Sequence, residues 1–258
     1  MILTVDLGNS NLVTVLYDDK GRRVDDDRRD TIKEENYSRY RNFFQDVIDQ
    51  FGMPEITTVT TSCVVPYLRN LLREVVSDLF PGAKHFQLQY NMVPNLKIHL
   101  KEPREIGSDL IATAYGALGK YDQPTIIADL GSATKLTVVN HPETFMGGLI
   151  IPGIPFQAKS LHQMIPHLPK IKLAKPDKII GNDTMEAMQS GIINGALAGI
   201  IGLAEQIEKE VGQDCTWLIT GGVSKLFSPK DLGRFHYDEF LLSDGLCYLT
   251  LRWLENEQ

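Results

Sequence analysis

ILTVDLGNSNLVTVLYDD, residues 2–19, runs apolar and β-branched, breaks at Asp6-Leu7-Gly8-Asn9-Ser10-Asn11, and resumes as a second apolar run. A hairpin accounts for the glycine and the asparagines, which tolerate the positive φ of a tight turn. It does not account for a carboxylate at the end of a buried strand. A second copy, TIIADLGSATKLTVV at residues 125–139, breaks in the same way. Asp6, Leu7, Gly8, Thr14 and Val15 recur 123 positions later as Asp129, Leu130, Gly131, Thr137 and Val138. Two such strand-turn-strand units imply two related half-domains, each presenting an acid and an open backbone loop to one ligand between them. The alternative is chance similarity of two short hairpins.

Outward from these repeats, 258 residues suit two domains or one large α/β unit. The 43% hydrophobic and 23% charged composition is that of a globular protein with a substantial core. A net charge of −7 with scattered basic residues argues against a phosphate-tracking surface, so no nucleic-acid partner is expected. The first residues enter a strand with no basic segment before them, which argues against a signal peptide. Residues 187–204 are too short and polar for a membrane span, so a cytoplasmic, membrane-free protein is expected. Cys63, Cys215 and Cys247 stand far apart without a CxxC pair, and the six histidines show no HExxH spacing. Both facts disfavour a zinc site and fit a reduced compartment.

Along the chain, the mixed-sign run of residues 18–30 reads as a solvated turn. Tyr40, Phe43, Phe44, Val47, Ile48 and Phe51 mark a helix over 37–51, and Leu68 to Phe80 mark another over 67–80, with the strand ITTVTTSCVVP (56–66) between them. Alternating strands and helices predict an α/β fold with parallel pairing in each sheet. Residues 106–120 pass from a turn into a helix with Asp109 in its first turn, where the helix dipole favours a carboxylate. Residues 145–155, FMGGLIIPGIP, either bring backbone close to a ligand or turn a corner. A long helix spans 182–212, with Ala187, Gly191, Gly195 and Gly199 forming a face of little bulk that serves close packing or a subunit contact. A last strand breaks at Thr220-Gly221-Gly222 before a further helix. The lobes divide as 1–118 and 119–258.

Three strand ends thus carry glycine-rich breaks: Asp6 to Asn11, Asp129 to Thr134, and Thr220 to Gly222. Bare backbone N–H groups and small hydroxyl side chains cradle phosphate oxygens, and two aspartates can hold a cation beside them. None is a Walker A loop or a GxGxxG fingerprint. A nucleotide between two similar lobes fits better, with Asp109 either accepting the proton of an acceptor alcohol or capping its helix.

In order, DLGNS (6–10), TSCVVP (61–66), EIGSD (105–109), DLGSAT (129–134), GGLIIPG (147–153), IGNDTMEAMQSG (180–191) and TGG (220–222) resemble the motif blocks of the type III pantothenate kinases. These belong to the acetate and sugar kinase, heat-shock protein and actin superfamily. The resemblance implies two ribonuclease-H-like lobes, each a mixed sheet flanked by helices, with the nucleotide in the cleft between them. It implies ATP-dependent phosphorylation of pantothenate, the first step towards coenzyme A, in a cytoplasmic homodimer. Asp6, Leu7, Gly8, Asn9, Ser10, Asn11, Ser132, Gly221 and Gly222 then bind ATP, and Asp6 holds Mg²⁺, directly or through water. Asp129 ligates a monovalent cation, K⁺ or NH₄⁺. Asp109 is the proton acceptor, and Leu100, Gly107, Ser108, Asp109, Leu110 and Thr184 line the pantothenate site.

The departures are as informative as the matches. This family usually has an arginine where this chain has Leu110 and a tyrosine where it has Leu100, and its second phosphate block usually reads Gly-Thr-Ala-Thr-Thr where this one ends in Lys135. Losing a guanidinium removes a charge and up to five donors, so Lys135, Lys101 or Arg104 is expected to supply a replacement cation to the substrate. A kinase acting on another small alcohol and a non-catalytic regulatory relative are the alternatives.

Overall fold

The computed structural model describes residues 1–256. Its first unit comprises Met1–Lys120 and the chain from Phe240 onward, and its second comprises Tyr121–Glu239. Each is described by itself.

In the first unit, β1 (Ile2–Leu7), β2 (Asn11–Tyr17) and β3 (Arg23–Asp30) form an antiparallel meander. After α1 (Tyr37–Gln50) come β4 (Thr58–Cys63), α2 (Arg69–Leu79), β5 (Lys84–Gln87), the two-residue strand β6 (Lys97–Ile98) and α3 (Ser108–Leu118). The sheet order is β3-β2-β1-β4-β5, with β1-β4 and β4-β5 parallel. The second unit repeats this plan with β7 (Thr125–Leu130), β8 (Ala133–Asn140), β9 (Thr144–Pro152), α4 (Ile154–Met164), α5 (Thr184–Val211), β10 (Thr216–Thr220) and β11 (His236–Tyr237). Its strands run β9-β8-β7-β10-β11, antiparallel and then parallel in the same places. The last helix is α6 (Leu241–Asn256).

The helices form because their apolar residues recur on one face. Tyr40, Phe43, Phe44 and Val47 of α1 and Leu71, Leu72, Val75 and Val76 of α2 are buried with Leu3, Val5 and Val59 of the sheet. Each such side chain contributes about 1.5–3 kcal/mol of burial free energy. In α5, Asp183 caps the start by accepting from the Glu186 N–H, Glu186 accepts from the Asn182 N–H, and Gly212 ends the helix at φ 76. By length and composition α5 could cross a membrane. Here its Met188, Ile192, Ile193, Leu197 and Ile200 instead fill the second core with Ile126, Leu136 and Trp217.

The structure corrects several expectations. Most of residues 18–30 are not a solvated turn, since Arg23–Asp30 form β3. It is an edge strand whose side chains are mostly exposed, so its charges stay in water while its backbone pairs with β2. Residues after 239 do not continue the second unit: α6 packs with the first. A methyl group on Gly245 would stand 1.8 Å from the Ala112 carbonyl, and one on Gly116 would stand 2.0 Å from that of Leu241, so α3 and α6 cross in backbone contact. Tyr17 and Lys120 donate to Asp244 at 2.6 and 2.7 Å. Gly222–Leu226 is a short 3-10 turn rather than a helix. A Cβ on Gly191, Gly195 or Gly199 would meet nothing within 4 Å, so close packing within this chain is not what these glycines serve.

The return strands are also offset. Asp6 lies opposite Val13, but Asp129 lies opposite Lys135 rather than Leu136. The first turn closes with the Gly8 N–H donating to Asn11 O at 2.9 Å and the second with Gly131 donating to Ala133 O at 3.1 Å. The second turn is therefore one residue shorter. Thr14 and Val15 are matched in space by Leu136 and Thr137, and the recurrence of Thr-Val 123 positions later is a coincidence of composition.

Candidate active site

The first turn sits where β1 ends. Leu7 is fully buried, whereas Asn9 and Ser10 are exposed and Asp6 is half-buried. Thr31 braces the turn from the end of β3: its Oγ donates to Gly8 O at 2.7 Å and its N–H to Ser10 O at 2.9 Å. The Lys33 ammonium donates to Asn9 O. Asn11 Nδ2 reaches Asp30 Oδ1 at 3.5 Å. Thr31 and Lys33 were not legible as site residues, because they follow a charged run that carries no apolar period.

Asp109 stands in the first turn of α3, close by through β4. Asp6 is the register partner of Ser62, and Ser62 Oγ is 3.0 Å from Ser108 Oγ, next to Asp109. Asp109 Oδ1 accepts from the Leu110 N–H at 2.9 Å. A methyl group on Gly107 would stand 2.3 Å from that same oxygen. Gly107 is therefore the opening into which the carboxylate turns. Leu100 and Leu110 are half-buried in this unit, and Lys101 and Arg104 are exposed, Arg104 facing Glu102 at 3.5 Å. Cys63, at the end of β4, is a buried thiol whose pKa burial raises.

In the second unit the other two glycine breaks meet. Ser132 is exposed at the tip of its turn, and the start of α4 lies against it: a methyl group on Gly153 would stand 2.3 Å from Ser132 O and 2.6 Å from Gly131 O. Gly221, at φ +90, passes so close that its Cβ would be 2.5 Å from Leu130 O and 2.6 Å from Asp129 Oδ1. Gly222 opens the 3-10 turn behind it. The other oxygen of Asp129 is 2.8 Å from Lys135 Nζ, with both side chains largely buried. Lys135, expected to serve the substrate, directs its ammonium at Asp129. Thr184 is exposed at the first position of α5, in this second unit.

Each unit thus presents a strand-end aspartate beside a bare turn, and the first adds Asp109. Residues 2–206 match the family profile described as type III pantothenate kinase. The chain belongs to that family. As a type III pantothenate kinase it resembles curated relatives of that name along nearly its whole length. It is 33% identical to the one from Exiguobacterium sp., covering 95% of this chain and 96% of the relative. It is 31% identical to the one from Citrifermentans bemidjiense, covering 98% and 99%, and 30% identical to that of Bacillus cytotoxicus, covering 98% and 96%.

The fold of this type III pantothenate kinase is shared with more distant solved structures. One is the activator of the 2-hydroxyisocaproyl-CoA dehydratase from Clostridium difficile with bound ADPNP (TM-score 0.57, 10% identity, 100% of this chain and 96% of that one). Another is a putative N-acetylglucosamine kinase from Porphyromonas gingivalis (TM-score 0.53, 12% identity, 98% and 99%). At these identities the likeness is one of fold. A kinase of this family is a phosphotransferase that uses ATP with a divalent metal.

Proposed function

We propose that this protein transfers the γ-phosphoryl group of ATP to the primary hydroxyl of pantothenate, giving ADP and 4′-phosphopantothenate for coenzyme A synthesis. The hydroxyl oxygen forms a bond to Pγ, the bond from Pγ to the β,γ-bridging oxygen breaks, and the hydroxyl proton passes to Asp109. Because the transition state of phosphoryl transfer is loose, Asp109 chiefly orients the hydroxyl and takes its proton late.

The observation that carries this reading is the tie from Asp6 through Ser62 to Ser108, which sets a carboxylate at a helix start beside a phosphate-type turn. Asp6, Leu7, Gly8, Asn9, Ser10 and Asn11, with Ser132, Gly221 and Gly222, hold the nucleotide through backbone N–H groups and small side chains. Leu100, Gly107, Ser108, Leu110 and Thr184 line the acceptor site. Asp6 fits Mg²⁺: it is a half-buried carboxylate at a strand end beside exposed backbone, the oxygen-rich setting hard cations choose. When bound, Mg²⁺ would neutralise charge on the phosphates. Asp129 does not fit an added K⁺ or NH₄⁺ in the same way, because an ammonium already faces it at 2.8 Å. The working enzyme is a cytoplasmic homodimer. Support for the dimer comes from the exposed glycine face of α5 and from exposed Ile150, Met164, Ile179 and Ile180 in the same unit.

The test is ADP release from Mg-ATP with and without pantothenate, for the wild type and Asp109→Asn. Pantothenate-stimulated turnover that falls at least about 10²-fold in kcat in the variant supports the reading. An undiminished kcat would remove Asp109 from its role. Leu100 and Leu110 favour a second reading, a changed acceptor alcohol. Stimulation by other small alcohols but not by pantothenate would establish it.

A further inference from the structure

We propose that the Lys135 ammonium is a built-in monovalent cation, so that this kinase binds nucleotide and turns over without K⁺ or NH₄⁺. The inference rests on the nucleotide site described above and concerns the Asp129 side of it.

Lys135 and Asp129 are direct cross-strand partners in β8 and β7, and opposite charges at such positions attract. Their Nζ–Oδ2 distance is 2.8 Å, and the side chains retain only 17% and 18% of their exposure. The pair is thus held by the sheet and shielded from water, where salt screens less than at an open surface. The second oxygen of Asp129 is lodged against the turn of Gly221, which comes too close for any side chain. A free ion seeking this carboxylate would have to displace an ammonium tethered beside it.

A lysine ammonium supplies the single positive charge of K⁺ and the N–H donors of NH₄⁺, so it serves as either would beside anionic phosphates. The first unit shows that the arrangement is not a general demand of the hairpin. The equivalent Asp6 faces Val13 across the strands. The charge is added only in the copy where a monovalent cation is expected.

The experiment uses the full chain in choline buffer at constant ionic strength, with choline replaced stepwise by K⁺, NH₄⁺ or Na⁺. ADPNP affinity is read by calorimetry with Mg²⁺ present, and pantothenate-stimulated ADP release is read by chromatography. The wild type should change by less than about twofold in either quantity. Lys135→Ala should bind ADPNP about tenfold more weakly in choline and regain affinity when K⁺ or NH₄⁺ is added. Lys135→Arg keeps the charge and should stay indifferent to the added ions. The wild-type titration needs no variant, so a misfolded Lys135→Ala leaves the test intact. A tenfold rise of wild-type affinity or turnover with K⁺ would overturn the inference, as would a Lys135→Ala protein that binds normally in choline. Cation-indifferent ADPNP binding that depends on Lys135, with no turnover on pantothenate in any buffer, would overturn the pantothenate reading and uphold this one.

Discussion

Gly107→Ala separates the placement of the proposed base from the stability of the fold. Gly107 has φ −67 and ψ 147, a conformation alanine adopts freely, so the backbone does not require glycine there. What the new methyl meets is Asp109 Oδ1 at 2.3 Å, then Asp109 Cγ at 3.5 Å and Val64 Cγ1 at 3.9 Å. Only the carboxylate has to give way, and it must retreat by roughly 1 Å to reach ordinary contact, a displacement that costs about 10²-fold when it moves a reacting group. The folded state loses the Leu110 N–H bond to Asp109, about 1 kcal/mol, while alanine restrains the unfolded chain and returns about 0.4–1 kcal/mol. The expected outcome is a kcat lower by about 10²-fold, close to 2.7 kcal/mol of activation free energy, with KM for ATP unchanged and Tm within a few degrees. Steady-state ADP release and a thermal melt on the same preparation measure both quantities. A folded variant with kcat within about threefold of wild type would refute the claim that the reaction uses this position of Asp109.

Gly245→Ala should do the reverse: its methyl would lie 1.8 Å from the Ala112 carbonyl and 2.6 Å from the Gly116 nitrogen, both backbone. Parting α3 from α6 should cost about 3 kcal/mol or more, read as a lower urea midpoint. Glu208 accepts two bonds from Arg234 at 2.8 Å and others from the Cys215 N–H and Trp217 Nε1, and these hold its pKa down from its ordinary 4.5 to about 2. A depressed folded-state pKa gives stability that is present above about pH 4.5 and lost as pH falls toward 2. Glu208→Gln should therefore unfold at lower urea than wild type at pH 7, with the gap closing by pH 2 to 3. A gap that stays constant with pH would contradict the assignment. Gly195→Glu touches nothing within its own chain and improves helix propensity by up to about 1 kcal/mol. It should fold at least as well as wild type and, on the proposed dimer through this face, sediment as a monomer; a variant that sediments as wild type does would clear this face of a subunit contact.

The core of the fold was legible where local signals and tertiary packing agree. β1 and β7 read as buried strands because both faces are covered, α5 announced both of its ends by capping residues, and Asp109 stood where a helix start favours an acid. β3 was illegible because an exposed edge strand is held by backbone bonds that leave no apolar alternation. The return of α6 was illegible because its contact with α3 depends on glycines 129 positions apart, Gly116 and Gly245, which look like any others in a helix. Of the site, the three glycine breaks and the acids of two of them, Asp6 and Asp129, could be read. Their supports, Thr31, Lys33 and Ser62, could not, since each acts through hydrogen bonds to residues distant in sequence that only the fold brings near.

One residue on the facing strand gives the repeated motif two different electrostatic settings. Directly opposed residues of an antiparallel pair share one face of the sheet, so the residue at that single position of the return strand decides what each acid meets. Val13 faces Asp6, and its counterpart in space, Lys135, faces Asp129, although the second turn is one residue shorter. The loop takes up the difference, with Ser132 alone where Asn9 and Ser10 stand in the first, and the pairing beyond it is equivalent in the two hairpins. In the proposed reading Asp6 serves a hard cation at the phosphates, whereas Asp129 is already matched by the Lys135 ammonium at 2.8 Å. The asymmetry needs no change in the Asp-Leu-Gly motif. It follows from one residue on the facing strand.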